Sequence, residues 1–146
     1  MENQTTYHLP KILVLCTGNS CRSQIMHGFL NKLASHKAKI WSAGVETHGL
    51  NKNALKYLNQ FEGIDISTHT SNLVDEYSDI NFDFVITVCD HANERCPIFP
   101  SSAKKLHHNF SDPSKINGSK LEIEKAFKQT ISEIKIYVLD FINAEL

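Results

Sequence analysis

The chain has 146 residues, of which 41% are hydrophobic and 21% are charged, and its formal net charge is −1. These values are typical of one soluble globular domain, so we expect a single domain over residues 1–146, with residues 1–10 as a polar N-terminal extension. The nearly balanced charge argues against a nucleic-acid or membrane-surface partner. Because we see neither a signal peptide nor the ~20 apolar residues that cross a bilayer, the expected compartment is the cytosol.

The apolar patterns alternate between strand and helix along the chain. The predicted elements are strands over 12–15, 39–43, 82–88 and 105–110, and helices over 25–33, 54–61 and 127–141. Asn51 is a candidate cap for the second helix. This order predicts an α/β fold with a central parallel sheet of about four strands and helices on both faces. Ligands bind at the carboxyl ends of the strands in such sheets.

The turn between the first strand and the first helix reads Cys-Thr-Gly-Asn-Ser-Cys-Arg-Ser, from Cys16 to Ser23. A tight loop of small residues that opens a helix directs its backbone N–H groups into one concavity, and the helix N-terminus adds partial positive charge. The predicted oxyanion-binding residues are Thr17, Gly18, Asn19, Ser20, Cys21 and Arg22. Gly18 permits a positive φ, and Asn19 is the next most tolerant residue for a left-handed turn.

Arg22 can offer two N–H groups to a tetrahedral anion, and a cation beside a helix N-terminus favours the thiolate form of Cys16. Ser23 could donate a hydrogen bond to that thiolate. The alternative is that Cys16 is a small buried residue at the end of a strand, which is the usual place of a free cysteine. Cys21 is given no chemical role beyond its backbone N–H.

A second pair of cysteines, Cys89 and Cys96, lies in a polar segment that follows the predicted third strand. The composition of this segment indicates exposure and mobility, as a helical turn or a loop. In a reducing compartment such cysteines are more often reactive or metal-binding than structural. The spacing does not favour zinc, whose cysteine ligands are usually about two to four residues apart, so no metal site is predicted. Inert structural cysteines remain an alternative.

The segment Cys16–Ser23 resembles the phosphate loop of the low-molecular-weight protein tyrosine phosphatases. It resembles more closely that of the thioredoxin-coupled arsenate reductases, which share their fold. The resemblance covers most of the chain and includes segments 41–44, 46–49, 65–67, 69–71 and 88–97. It implies a phosphatase-like fold, arsenate as the substrate with phosphate or sulfate as mimics, and thioredoxin as the reductant. No tightly bound cofactor is implied, and we expect a monomer.

The same resemblance implies a role for each cysteine outside Cys21. Cys16 attacks arsenate, Cys89 attacks the sulfur of Cys16 and releases arsenite, and Cys96 then attacks Cys89. The resulting Cys89–Cys96 disulfide is reduced by thioredoxin through thiol–disulfide exchange. The segment must shift during this relay, because a disulfide needs Cα atoms within ~7 Å. A glutathione or glutaredoxin donor remains open.

Asp112-Pro113 follows the predicted fourth strand, and proline restricts the backbone from which the Asp112 carboxyl projects. The resemblance implies that Asp112 protonates the oxygen that leaves as water; a plain Asp-Pro turn is the alternative. Hydrolysis of phosphate monoesters is the alternative function, and a silent binding protein is a third. Ser114 stands where these phosphatases usually have tyrosine, which favours the reductase.

Some arsenate reductases of this kind bind potassium beside the loop. Asn19 and Ser42 match two of the ligands, but His27 and Asn72 stand where acidic ligands are expected. Because hard cations prefer anionic oxygen ligands, we expect a weak or absent potassium site. If His27 lies near the loop, it could carry the positive charge instead.

Overall fold

A computed structural model describes residues 8–94 and 103–146. Its elements are β1 (Lys11–Cys16), α1 (Arg22–Ala34), β2 (Lys39–Gly44), α2 (Lys52–Glu62), β3 (Phe84–Thr87), α3 (Asp90–Glu94), β4 (Lys104–His107) and α4 (Lys120–Glu145). Two short 3-10 turns lie at Val74–Tyr77 and Pro113–Lys115. In these two described ranges, no helix combines the length and apolar character needed to cross a membrane.

The four strands form one sheet in the order β2-β1-β3-β4, and every pair is parallel. All residues of the central strand from Ile12 to Cys16 are buried, so both faces of the sheet centre are covered. This explains why β1 reads as an unbroken apolar run rather than an alternating one. The predicted α/β fold with a four-stranded parallel sheet is confirmed.

The helix ends follow local sequence signals. The Asn51 side chain accepts a hydrogen bond from the Ala54 N–H (2.9 Å), which confirms the predicted cap of α2. Gly63 ends that helix in the left-handed region at φ 67°. Ser119 and Glu122 form reciprocal hydrogen bonds at the start of α4, and the predicted apolar stripe of α4 is buried against α1 and α2.

Two strands are shorter than their apolar runs predict. The third spans 84–87 rather than 82–88, and the fourth spans 104–107 rather than 105–110. Phe82, Val88 and Phe110 are buried beyond the strand ends. Val88 and Phe110 each donate one backbone hydrogen bond, to Leu15 O and Val88 O, but they lie outside the regular strands. Burial beyond the strand ends therefore made both predicted strands too long.

Candidate active site

Three strand ends meet at one edge of the sheet. Because β1, β3 and β4 are parallel, the segments that follow them emerge on the same side. This edge receives the loop that starts at Cys16, the segment that starts at Val88 and the turn that contains Asp112. The topology thus brings together residues that are up to 96 positions apart in the sequence.

A cavity of about 170 Å³ opens over the loop after β1. Its lining consists of Cys16, Thr17, Gly18, Ser20, Cys21, Arg22, His48, Asp112, Ser114 and Lys115. All of the predicted oxyanion-binding residues line the cavity except Asn19, which is fully buried. The cavity is smaller than the roughly 300–1,000 Å³ of pockets for drug-sized ligands, so its size suits a small anion.

The carbonyl oxygens of residues 16–20 are all hydrogen-bonded. The backbone pairs are Val45 N to Cys16 O (3.3 Å), Glu46 N to Thr17 O (2.9 Å), His48 N to Gly18 O (2.9 Å) and Asn51 N to Ser20 O (3.0 Å). The Gln24 side-chain amide donates to the fifth, Asn19 O, at 3.1 Å. In a trans peptide the N–H lies opposite the C=O, so the N–H groups of residues 17–21 point away from the partners of these carbonyls. Such an array of N–H groups binds anions.

Asn19 and Gly18 shape the loop in different ways. Of the two residues that tolerate a left-handed turn, Asn19 takes this conformation, with φ 48°, whereas Gly18 does not have a positive φ. The absence of a side chain at Gly18 leaves room for the His48 ring, which a Cβ would overlap in its present position.

The Cys16 thiol lies in a buried hydrogen-bond chain. Its sulfur is 2.9 Å from the Ser23 hydroxyl, and both residues are buried. The Asn19 side-chain amide donates to the same hydroxyl oxygen at 2.8 Å, and Asn19 is fixed in turn by the Asn72 N–H. With an N–H donor already on its oxygen, Ser23 can direct its proton to sulfur and stabilise a thiolate. The position predicted for Ser23 is observed.

Cys21 is buried at the start of α1. Burial, reinforced by the negative charges of Asp112 and Cys16, raises the pKa of this thiol far above its usual value. The Cys21 thiol therefore stays protonated at physiological pH.

Arg22 and Asp112 lie side by side on the cavity lining and form an ion pair. The guanidinium donates to the Phe110 carbonyl at 2.9 Å, and its second terminal nitrogen lies 3.4 Å from Asp112 Oδ2. Asp112 Oδ1 accepts hydrogen bonds from the Ser114 N–H (3.0 Å) and hydroxyl (2.6 Å). The carboxyl is thus held through one oxygen, while the other faces Arg22 at the cavity.

Cys89 is buried, with 3% of its surface exposed, although its polar segment predicted exposure. Its sulfur lies 3.3 Å from the Thr17 hydroxyl and accepts a hydrogen bond from the Ala92 N–H at 3.4 Å. The predicted helical turn after it is α3. Exposure of Cys89 was predicted because the composition of its own segment gives no information about the core residues that cover it. Cys96 lies outside the described residues.

His27 does not supply a positive charge beside the loop. Its Nδ1 lies 2.7 Å from the Ser42 hydroxyl, and its ring packs on His69 with centroids 4.4 Å apart. Burial, and to a lesser extent His69, lowers the pKa of His27 to about 3. The imidazole is therefore neutral at physiological pH, and it does not carry the positive charge that the sequence left open for it. Among the described residues, no three His, Cys, Asp or Glu side chains group as metal ligands.

Two basic side chains of the cavity were missed from the sequence. His48 lines it and pairs through Nε2 with Glu46 Oε2 at 2.6 Å, and Lys115 lines it from the turn after Asp112. The available signal was the Glu46-Thr47-His48-Gly49 segment, which carries part of the resemblance. Arg22 and Lys115 place two cationic side chains on the cavity lining, which suits an oxyanion.

A parallel α/β sheet that carries a Cys-x5-Arg loop over a small cationic cavity defines the phosphatase-like class of cysteine proteins. Residues 11–145 match the low molecular weight phosphotyrosine protein phosphatase family, and the chain belongs to it. It is 44% identical to an arsenate reductase of Shouchella clausii (strain KSM-K16) over 130 residues, which cover 89% of this chain and 93% of that one. It is 42% identical to the Bacillus subtilis (strain 168) arsenate reductase over 136 residues, covering 92% and 91%. A solved structure described as an arsenate reductase in the phosphate binding state superposes with a TM-score of 0.67 at 25% identity, covering 90% and 98%.

Proposed function

We propose that this chain reduces arsenate to arsenite through a relay of Cys16, Cys89 and Cys96 that thioredoxin recycles. The observation that carries the proposal is the position of Cys89, whose sulfur touches the hydroxyl of the loop residue Thr17 at 3.3 Å. Hydrolysis of a phosphate ester needs one nucleophilic thiol, whereas reduction needs a second thiol that can reach the first. The arsenate reductases similar to this chain support the same activity.

In the first step, the N–H groups of residues 17–21 and the Arg22 guanidinium hold arsenate over Cys16. The Cys16 thiolate, stabilised by the Ser23 hydroxyl, attacks arsenic. One As–O bond breaks, and Asp112 protonates the departing oxygen, which leaves as water. The product is a covalent adduct between Cys16 sulfur and arsenic(V), and no electrons have yet been transferred.

In the second step, the Cys89 thiolate attacks the sulfur of Cys16. The Cys16–Cys89 disulfide forms as the S–As bond breaks, and its electron pair goes to arsenic. Arsenic(V) becomes arsenic(III) and leaves as arsenite, while two thiol groups are oxidised to one disulfide. The two electrons that arsenic gains come from the two sulfurs, so this step needs no other reductant.

In the third step, the Cys96 thiolate attacks Cys89 and restores the Cys16 thiolate. This moves the disulfide to Cys89–Cys96, where a thioredoxin dithiol reduces it by exchange. The role of Cys96 rests on the resemblance. A cytosolic setting supplies the reducing partner.

Neither a tight cofactor nor a strong potassium site belongs to this proposal. The Ser42 hydroxyl is already hydrogen-bonded to His27, and Asn72 uses its backbone N–H to hold the Asn19 side-chain oxygen. The usual carboxylates are replaced by a neutral imidazole and an amide. Without a carboxylate at positions 27 and 72, a monovalent cation would be held weakly.

The test is arsenate-dependent NADPH oxidation with thioredoxin and thioredoxin reductase, run beside hydrolysis of p-nitrophenyl phosphate. We expect oxidation that needs arsenate, thioredoxin and all three cysteines Cys16, Cys89 and Cys96. Substituting glutathione and glutaredoxin for thioredoxin identifies the donor. Rapid hydrolysis without arsenate-linked oxidation would instead identify a phosphatase and contradict the proposal.

A further inference from the structure

A second polar cluster lies one strand away from the cavity and shares no residue with it. It consists of Thr87, Asp90 and His107, which we name the clamp. The Thr87 hydroxyl lies 2.7 Å from His107 Nδ1, and His107 Nε2 lies 2.7 Å from Asp90 Oδ1. The clamp therefore connects the end of β3, the end of β4 and the first residue of α3 through one imidazole ring.

Hydrogen bonds at both ring nitrogens fix the orientation of the His107 imidazole. A carboxylate only accepts hydrogen bonds, so the Nε2 of His107 carries the hydrogen that binds Asp90. The opposite nitrogen meets the hydroxyl of Thr87, which is buried with 4% of its surface exposed. The buried hydroxyl thus orients the ring, and the ring holds the exposed carboxylate of Asp90. Because the Asp90 carboxylate is exposed, its hydrogen bond to the ring adds little to stability.

The clamp brackets Cys89 in the chain. Thr87 stands two residues before Cys89, and Asp90 follows it directly. The Asp90 backbone N–H is also held, by the Asn109 side-chain oxygen at 3.1 Å. Since Asp90 begins α3, both anchors fix the turn that sends the Ala92 N–H to the Cys89 sulfur. The direction of the sulfur toward Thr17 depends on this turn.

We propose that the clamp is a positioning device for Cys89 that sets the rate of its attack on Cys16. The inference rests on the proposed relay and names the residues that regulate its second step. Thr87, Asp90 and His107 touch neither the substrate cavity nor its anion-binding groups, so binding and the first attack do not need them. Losing the clamp should therefore slow disulfide formation and leave oxyanion binding intact.

The experiment compares wild type with His107→Ala, His107→Gln and Lys105→Ala. Lys105 is the matched control, because it lies exposed on the same face of β4, two residues before His107. Three quantities are measured on the reduced full-length chain. The first is the arsenite released in a single turnover, and the second is the alkylation rate of Cys89 without arsenate. The third is the protection that bound inorganic phosphate gives Cys16 against alkylation.

In His107→Ala we expect single-turnover arsenite release to slow about tenfold, since misplacing a reacting group by about 1 Å can cost on the order of a hundredfold. Cys89 should be alkylated several times faster, because the turn that buries it opens more often. Phosphate protection should stay unchanged. His107→Gln, whose amide can still donate to Asp90, should recover part of the release rate, and Lys105→Ala should match wild type.

Unchanged release and unchanged Cys89 alkylation in His107→Ala would overturn the clamp. Loss of phosphate protection in step with the release rate would overturn it as well, because the residue would then act on the whole site. Absence of arsenite from wild type would instead reject the proposed relay. The alkylation of Cys89 needs no arsenate, so it tests the clamp separately in that case.

Discussion

His27 should make the protein sensitive to mild acid, and replacing it with glutamine should remove part of that sensitivity. In the folded chain the ring is buried against Ser42 and His69, and burial lowers its pKa from 6.5 to about 3. On unfolding, the ring returns to water and recovers its ordinary pKa. The unfolded chain therefore binds a proton over a range of pH in which the folded chain does not.

The direction of the effect follows from this difference. A proton that binds only the unfolded state favours unfolding, so stability is full above the ordinary pKa of 6.5 and falls as the pH decreases toward 3. Integrating this relation from pH 7 to pH 5 gives a loss of about 2 kcal/mol from His27 alone. His69, whose pKa is also lowered by burial, contributes in the same direction.

The assay is urea unfolding at pH 7 and pH 5, each followed by circular dichroism. Wild type and His27→Gln are compared by the change in unfolding free energy between the two pH values, which separates acid sensitivity from any loss of packing. We expect the change to be smaller in His27→Gln by about 2 kcal/mol. His36→Gln, which removes an exposed histidine, is the control and should follow wild type. Equal losses in wild type and His27→Gln would refute a buried neutral imidazole.

Cys96→Ser should complete one turnover and stall as a Cys16–Cys89 disulfide, and mass spectrometry of the trapped chain would show it; repeated turnover with thioredoxin would contradict the relay. Gly18→Ala should weaken phosphate binding with little loss of stability, because its Cβ meets the side chain of His48, which can move. Gly44→Ala should destabilise by roughly 1–3 kcal/mol, because its Cβ would meet backbone atoms; equal melting temperatures for the two variants would exclude this difference. Replacing sodium with potassium at equal ionic strength should leave the arsenate reduction rate unchanged, and a large stimulation would reveal a cation site.

The sequence predicts most of the fold because the deciding signals are local. An unbroken apolar run marks β1, the spacing of apolar residues marks α4, and Asn51 caps α2 by contact with a residue three positions away. The loop from Cys16 to Ser23 belongs to the same category, since its small residues, its arginine and its serine act within one turn. These features require no knowledge of distant segments.

The remaining features depend on contacts between segments that are far apart in the chain. The burial of Cys89 depends on the core beneath β3, and the neutral state of His27 depends on the packing of His69. His48 reaches the cavity only because its segment pairs with the loop backbone. Local patterns do not show how far a side chain is removed from water. For this reason the exposure of Cys89 and the charge of His27 could not be predicted from the sequence, whereas the types of residue at the site could.

The parallel register explains why a second thiol at Cys89 meets the loop. In the sheet, Leu15 of β1 pairs with Thr87 of β3. Continuing that register by two residues sets Thr17 opposite Cys89, which is where the 3.3 Å contact is observed. On the other side of β1, Cys16 pairs with Gly44, whose missing side chain leaves room for the loop backbone. A thiol two residues after β3 therefore lies beside the anion loop as a consequence of strand order and register.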